Sequence, residues 1–456
     1  MSTLILVLLY GVVILAISYS LRKHTDADDY LMGGRSASAL LVGGALFTLV
    51  GGGELITLTA LAFTSGYSAL ALFAGYSLGF VYLATMAKRI RSNPDSKNFL
   101  SLPDYIHAKF GRLAGHLVFL VSFGAFFAML LIQFTAGGQL LQPLLKLEYV
   151  TCVLITAAIA ASYLLIGGFR TVLATDLLQG VSRLLLLPLI IYAVSQGIGA
   201  DRGNSASSPI EMLPIPILVS LIVTGFFAAA ASSDVWQRIY AARSAMAARN
   251  GFLLGAASLL IFGYLLVQLG LLAHAGAITQ NPDSAFVAAL GIGLPVWALH
   301  LAVILVLSTI LGTADTEIFL LSGMLGRELS RLRGGKNAED VSRAQSVLQS
   351  RVLVILVAVA AVAFSLVFRE LIPIYTWLLC AILVIAPMVV ASLYLEARRG
   401  FVVASVTLNL LVFLIMASLG LLSPETAYWI VIPGFLMYGV AYVIGKGSAN
   451  DARITK

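Results

Sequence analysis

Ser308-Thr309-Ile310-Leu311-Gly312-Thr313-Ala314-Asp315-Thr316-Glu317 lies in the middle of an apolar run that extends from Leu301 to Gly326. Its centre carries two carboxylates and four hydroxyls. A charged side chain at bilayer depth costs about 2.5–3.5 kcal/mol on insertion scales, so such residues usually face a cavity or a pathway. On a helix, Thr309, Gly312, Thr313 and Thr316 share one narrow stripe, which suits a hard cation such as Na⁺. Alternatively, the hydroxyls bond to their own helix or hold it against a neighbour.

The composition indicates a membrane protein. The chain has 456 residues, of which 60% are hydrophobic and 11% are charged, and its mean hydropathy is +0.99. Apolar runs of about 20 residues recur along almost the whole length, which predicts a polytopic α-helical protein. The net charge of +7 reflects basic cytoplasmic loops rather than nucleic-acid binding. Cys152 and Cys380 both lie in apolar runs, without disulfide or metal-ligand spacing.

Outward from the central run, the hydropathy pattern predicts thirteen transmembrane spans. The first, which begins near Leu4, is expected to be a retained helix and not a signal peptide. Lys and Arg fall almost entirely in alternate loops, which predicts that the N-terminus is outside and the C-terminus is inside. The spans lie at about 3–21, 38–63, 67–87, 114–142, 148–167, 171–197, 214–236, 251–276, 295–326, 352–369, 372–396, 400–422 and 427–445.

Two of these spans carry interruptions. Gly51-Gly52-Gly53 interrupts the second span, and Gly225 with the small-residue run Ala228 to Ser233 softens the seventh. The two spans are five apart, so they would have opposite orientations. Paired interruptions in inverted halves indicate the central site of a transporter, although small residues also serve ordinary helix packing. Glu54 follows the glycines and could bind a solute or stabilise the break.

The sixth span contains Asp176, Gln179 and Arg183 on roughly one face. Asp176 either caps the helix at the interface or belongs to a site. Arg183 lies about 10 Å deeper in the membrane, at 1.5 Å per residue. It could bind an anionic group, but we expect it to neutralise Asp315 or Glu317.

Other polar residues give weaker signals. Asp234, Trp236, Gln237 and Arg238 end the seventh span and are expected to anchor it at the inner interface. Three histidines are isolated in the sequence, namely His116, His274 and His300. The sequence has no GxSxG, HExxH or Walker-type motif, so we expect a protein that is not an enzyme.

Four segments in order resemble the sodium:solute symporter family, which includes bacterial proline, sialic acid, galactose and pantothenate carriers. The matching segments are Asp28-Asp29-Tyr30-Leu31-Met32-Gly33-Gly34-Arg35-Ser36, Gly168-Phe169-Arg170-Thr171 with Thr175-Asp176-Leu177-Leu178-Gln179, Val235-Trp236-Gln237-Arg238 with Ala241-Ala242, and Gly312-Thr313-Ala314-Asp315-Thr316.

The resemblance implies a LeuT-type fold with a five-plus-five inverted repeat. The whole chain, 1–456, would then be a single transmembrane transporter domain. Within it, 1–37 would form an extra helix and a cytoplasmic loop, 38–197 and 214–396 the two repeats, and 397–456 two further helices and a tail. The implied function is Na⁺-coupled uptake of a small polar solute by alternating access, in a bacterial inner membrane.

The resemblance also implies site residues. Sodium would be held by carbonyls near Thr48, Gly51 and Thr309 and by a hydroxyl dyad at Gly312-Thr313, where the first hydroxyl is absent. A second cation or a proton would be held by Asp176, Asp315 and Thr316. Residues at the expected pocket positions, chosen mostly by helix position, are Glu54, Ser77, Gln133, Phe226 and Tyr375.

Several alternatives stay open from the sequence. Coupling to H⁺ through Asp176, Asp315 or Glu54 is one, and an uncoupled carrier is another. A membrane sensor built on the same helices is an alternative of another class. Beyond the solute, the coupling ion and the lipid bilayer, we expect neither an organic cofactor nor nucleic acid, and no obligate protein partner is evident.

Overall fold

The computed structural model is built from α-helices, as the hydropathy pattern predicts. It describes residues 3–22, 26–201, 209–291, 294–335, 338–343, 345–394, 399–423 and 426–440. The helices are α1 Thr3–Ser20, α2 Ala27–Met32, α3 Ala39–Phe47, α4 Gly52–Ser65, α5 Leu70–Arg91, α6 Leu102–Phe110, α7 Arg112–Leu145, α8 Tyr149–Asp201, α9 Ile215–Ala230, α10 Ser233–Ala241, α11 Ala245–Ala275, α12 Ala285–Leu290, α13 Val296–Leu332, α14 Ala338–Arg343, α15 Val347–Val367, α16 Leu371–Ser392 and α17 Arg399–Ser418. A shorter apolar helix, Ala427–Val440, follows.

The second predicted span is broken between α3 and α4. The chain leaves the helix after Phe47, and Gly51 is extended, with φ −103° and ψ −164°. The Glu54 carboxylate accepts a hydrogen bond from the Gly51 amide at 2.8 Å, which closes a capping box at the start of α4. We expected Gly51, Gly52 and Gly53 to be the non-helical residues. The break instead covers 48–51, because the Glu54 cap allows the helix to resume at Gly52.

The seventh predicted span is also broken. Helices α9 and α10 are bent by 46° at Ala231–Ser232, within the small-residue run. The Trp236 indole donates to the Ala230 carbonyl at 2.9 Å, which satisfies one acceptor at the end of α9. The segments at the inner ends of the two broken spans meet through a parallel bridge between Ala37 and Ala242. The two breaks therefore belong to one connected core.

Helix α13 lies at the centre of the fold. It packs against α7, α8 and α15, and its residues from Leu305 to Met324 are buried. Helices α5, α9 and α11 pack together around α3 and α4, with Gly225 against the Leu72 carbonyl of α5. A side chain at Gly225 would overlap that carbonyl, so the small residue permits the close approach.

The count of membrane spans stays a prediction. In the described part of the chain, nine helices are long and apolar enough to cross a membrane, or ten if α9 and α10 form one broken span. The fifth and sixth predicted spans are joined in α8 by a kink at Gly168, where φ is 60° and ψ is −160°. The predicted side of the C-terminus concerns residues 441–456, which lie outside the described residues.

Candidate functional site

A buried cavity lies where the two helix breaks face each other. Its empty volume is about 610 Å³, within the range of small-molecule sites. It is lined by Leu46, Leu49, Val50 and Glu54 of the first broken span, Phe73, Tyr76 and Phe80 of α5, Phe126 and Met129 of α7, Ser232, Asp234 and Val235 at the second break, Leu259 of α11, Glu317 of α13, and Tyr375, Leu378 and Ile382 of α16. A second cavity of about 1050 Å³ shares Glu54, Phe73 and Tyr375 with it.

Three carboxylates line this cavity, and their bonding differs. Glu54 caps α4 through the Gly51 amide. Asp234 accepts hydrogen bonds from the Ser232 hydroxyl and, at 2.6 Å, from the Val235 amide at the start of α10. Glu317 is 1% exposed, and its Oε2 atom has no hydrogen-bond donor among the described residues. Glu317 is thus the carboxylate with acceptor capacity left over.

The predicted sodium site is filled by the side chain of Arg183. Its Nη1 donates to the Val50 carbonyl at 2.7 Å, and its Nη2 donates to the carbonyls of Ser308 at 2.6 Å and Thr309 at 3.0 Å. The guanidinium therefore joins the first helix break to α13 through carbonyls of the kind that a bare cation would use. We expected Arg183 to neutralise Asp315 or Glu317. The structure corrects this, because its donors are taken up by main-chain oxygens.

The residues predicted to bind sodium are partly brought together. The Thr313 hydroxyl donates to the Thr48 carbonyl at 2.8 Å, so the end of α3 does meet the hydroxyl dyad. A Cβ added at Gly312 would lie 2.7 Å from Arg183 Nη2 and 2.5 Å from Gln179 Oε1. The missing hydroxyl therefore makes room for the guanidinium. Gly51 lies against the Gln133 amide instead.

The predicted second site contains an arginine as well. Asp315 accepts a hydrogen bond from the Tyr163 hydroxyl at 2.6 Å and from the Thr316 amide at 2.6 Å. Arg238 donates to the Thr316 hydroxyl at 2.7 Å, and its Nη2 lies 3.7 Å from Asp176 Oδ2. Both partners of this ion pair are fully buried. The expectation that Arg238 anchors the helix at the interface was therefore wrong, since burial of its charge requires nearby acceptors.

The predicted pocket residues separate into two groups. Glu54 and Tyr375 line the cavity. The Ser77 hydroxyl donates to the Ala256 carbonyl at 3.1 Å, and Gln133 accepts from the Gly52 amide at 2.7 Å. Phe226 packs against neighbouring aromatic rings. These last three lie outside the cavity lining, so solute contact by any of the five stays a prediction.

Asp234, Glu317 and Tyr76 line the cavity but were assigned no solute role from the sequence. A sequence signal existed for two of them. Asp234 directly follows the small residues that mark the second break, and Glu317 was one of the two carboxylates of the central run.

A separate cluster lies where α6, α7 and the end of α13 meet. His116 contacts Glu328, and His107 Nε2 lies 3.6 Å from Glu328 Oε2. Burial lowers the pKa of His107, although Glu328 opposes that effect. The expectation that His116 is isolated was wrong, because its partners are distant in sequence. The cluster lies among loops and helix ends, away from the residues that line the central cavity.

The comparisons with known proteins agree with this geometry. The family model for the sodium:solute symporter family matches residues 30–206. The sodium/proline symporter of Escherichia coli (strain K12) is 24% identical, covering 75% of this chain and 72% of that protein. The osmoregulated proline transporter of Bacillus subtilis (strain 168) is 23% identical, covering 93% and 90%.

Solved structures share the fold at low sequence identity. A Na⁺-coupled sialic acid symporter in a substrate-bound outward-open state has a TM-score of 0.79 at 16% identity, covering 97% of this chain and 96% of its own. A nucleobase-cation-symport-1 family transporter in a closed conformation has a TM-score of 0.54 at 14% identity, covering 90% and 92%. These neighbours are transporters with the LeuT-type fold. The family match, the curated relatives and the shared fold together support membership of this chain in the sodium:solute symporter family.

Proposed function

We propose that the protein is a secondary active transporter that takes up a small polar solute with Na⁺ by alternating access, in a bacterial inner membrane. The observation that carries the proposal is the pair of broken helices, α3–α4 and α9–α10, which face one buried cavity. Discontinuous helices at mid-membrane form the substrate and ion sites of secondary transporters. The relatives, which are named as symporters, support transport rather than catalysis.

The position of the coupling ion differs from the sequence prediction. The proline and sialic acid proteins are named as sodium-coupled, which supports Na⁺. In this chain the carbonyls of Val50, Ser308 and Thr309 already bind the Arg183 guanidinium. We therefore assign Na⁺ to Asp176 and Asp315, which are buried and electrostatic neighbours. Neither Asp176 oxygen accepts a hydrogen bond from the described residues, so both are available to a cation.

Proton coupling is the second candidate, and one observation favours it. Asp176 and Asp315 are fully buried beside each other, and a buried carboxylate pair holds a proton readily. The permanent charge of Arg183 at the first site would make Na⁺ unnecessary there.

The test is solute uptake into proteoliposomes that carry either a Na⁺ gradient or a pH gradient. Uptake driven by Na⁺ alone supports the first candidate, and uptake driven by the pH gradient alone supports the second. Asp176→Asn should reduce whichever dependence the wild type shows, whereas Glu148→Gln, an exposed loop change, should leave it intact. If gradients of either kind drive no uptake of zwitterionic, anionic or cationic solutes, the transporter proposal is wrong.

A further inference from the structure

We propose that the central cavity is selective for an organic cation, meaning a small solute with a positive charge on an apolar body. This inference rests on the proposed transport function and specifies its substrate class. The named relatives carry a zwitterion, proline, or anions, pantothenate and sialic acid, so the cavity of this chain would differ from theirs in charge preference.

The first argument is the charge of the lining. Glu54, Asp234 and Glu317 face the cavity, and none of the described residues that line it is Lys, Arg or His. Glu317 is almost fully buried, yet its Oε2 lacks a donor among the described residues. A buried carboxylate without a partner is costly, and a cationic ligand removes that cost by pairing with it.

The second argument is the wider charge balance. Around the two helix breaks, the buried charged residues comprise five carboxylates and two guanidiniums, namely Glu54, Asp176, Asp234, Asp315, Glu317, Arg183 and Arg238. Arg183 is bound to main-chain carbonyls, and Arg238 is bound to Thr316 and lies beside Asp176. One coupling cation at Asp176 and Asp315 would still leave negative charge facing the cavity.

The third argument concerns the helix N-termini. Transporters of this architecture commonly bind an anionic substrate group at the N-terminus of a broken helix. Here the Gly51 amide donates to Glu54 and the Gly52 amide donates to Gln133, at 2.8 Å and 2.7 Å. At the second break, the Val235 amide donates to Asp234. The chain thus fills with its own oxygens amides that a substrate carboxylate would need.

The fourth argument is the apolar part of the lining. Five aromatic rings line the cavity, namely Phe73, Tyr76, Phe80, Phe126 and Tyr375. Aromatic faces attract ammonium and guanidinium groups, and they also cover alkyl or aryl surface. Such walls offer little to a bare inorganic ion, so the carboxylates and rings together favour an organic one.

The experiment compares cations with neutral molecules of the same shape on the purified full-length protein. The probes are choline against 3,3-dimethylbutan-1-ol and 2-phenylethylammonium against 2-phenylethanol, with proline and pantothenate as zwitterion and anion. Binding is measured by calorimetry at constant Na⁺. We expect at least one cation to bind tenfold or more tightly than its neutral counterpart, and more tightly than proline or pantothenate.

Two variants connect the preference to the cavity. Glu317→Gln should weaken binding of the cation at least tenfold and leave its neutral counterpart unchanged. Glu148→Gln, in an exposed loop, is the matched control. If Glu317→Gln does not fold, Tyr375→Leu should still reduce the ratio of cation to neutral affinity several-fold.

The outcomes separate this inference from the transporter proposal. If no cation binds more tightly than its neutral counterpart in the wild type, or if proline or pantothenate binds most tightly, the inference is overturned while transport can still stand. If a cation binds in a Glu317-dependent way but no gradient moves it into proteoliposomes, the site stands and the transporter proposal fails.

Discussion

The region around Arg183 and the central cavity share Val50 yet treat charge in opposite ways. On one side of the helix break, the Val50 carbonyl and two carbonyls of α13 are satisfied by a cation that belongs to the chain. On the other side, Val50 lines a cavity in which Glu317 keeps an unpartnered oxygen. A permanently bound guanidinium cannot leave during a transport cycle. The comparison therefore suggests that the first region is structural and that the second is where a ligand binds.

Removal of Arg183 should give the largest effect and would test this division directly. Arg183→Ala leaves three buried carbonyls without a charged donor, and we expect a loss of about 3–5 kcal/mol in the free energy of unfolding. Added Na⁺ should recover part of that loss, since the vacated carbonyls suit it. Unfolding in detergent, with Na⁺ and K⁺ compared, measures both effects.

Arg183→Lys is the matched control, because it keeps the charge and loses the forked geometry. It should retain more stability than Arg183→Ala and respond less to Na⁺. If Arg183→Ala is as stable as the wild type and both respond equally to Na⁺, the guanidinium is not the resident cation of this region.

The pair formed by Gly312 and Arg183 should give the next largest effect. Gly312→Ser alone places atoms against Arg183 and Gln179, and overpacking of this kind costs about 1–3 kcal/mol. In Arg183→Ala, the same substitution should instead restore the absent hydroxyl and raise Na⁺ affinity about tenfold, which corresponds to about 1.4 kcal/mol. A change of sign between the two backgrounds, measured as a double-mutant cycle, is the expected signature. Additive effects would contradict the proposed exchange of guanidinium for sodium.

The contrast between the two regions also explains what the sequence could predict. Hydropathy and the glycine run indicate helices and a break, since both are local patterns. The place of the break was missed because Glu54 caps Gly51, although a Gly followed three residues later by Glu is itself a local signal. The contacts of Arg183 were beyond the sequence, because its acceptors are 125 to 133 residues away in the chain. Helical periodicity gives the depth of a side chain but does not identify the atoms of other helices that it meets.

Asp176→Asn should have a smaller effect on stability and a clear effect on coupling. The change removes the charge beside Arg238, whose other contacts to Thr316 and Asp234 remain. We expect a loss of about 1–3 kcal/mol, because one buried charge pair is broken while the arginine keeps two acceptors. Uptake should lose its dependence on the driving ion, whereas cation binding in the central cavity should persist. If binding in the cavity is abolished and stability is unchanged, Asp176 belongs to the solute site instead.

Thr313→Ala should have the smallest effect, and it discriminates between the family expectation and the observed contacts. The resemblance implies that Thr313 supplies the last hydroxyl of a sodium site, so its loss would shift the Na⁺ dependence of solute binding. In the structure the Thr313 hydroxyl donates to the Thr48 carbonyl and joins α13 to the end of α3, beside a position that Arg183 occupies. We therefore expect a loss of about 0.5–1.5 kcal/mol in stability, the usual net value of one hydrogen bond, without a shift in Na⁺ dependence. Ser308→Ala is the matched control, because its hydroxyl bonds only to the Leu305 carbonyl of the same helix and should matter less. Solute affinity is measured against Na⁺ concentration for both variants in the wild-type and Arg183→Ala backgrounds. A shift for Thr313→Ala that appears only without Arg183 would mean that the guanidinium masks a latent sodium site. A shift already present in the wild type would mean that sodium displaces the guanidinium during transport, and the division between the two regions would then be wrong.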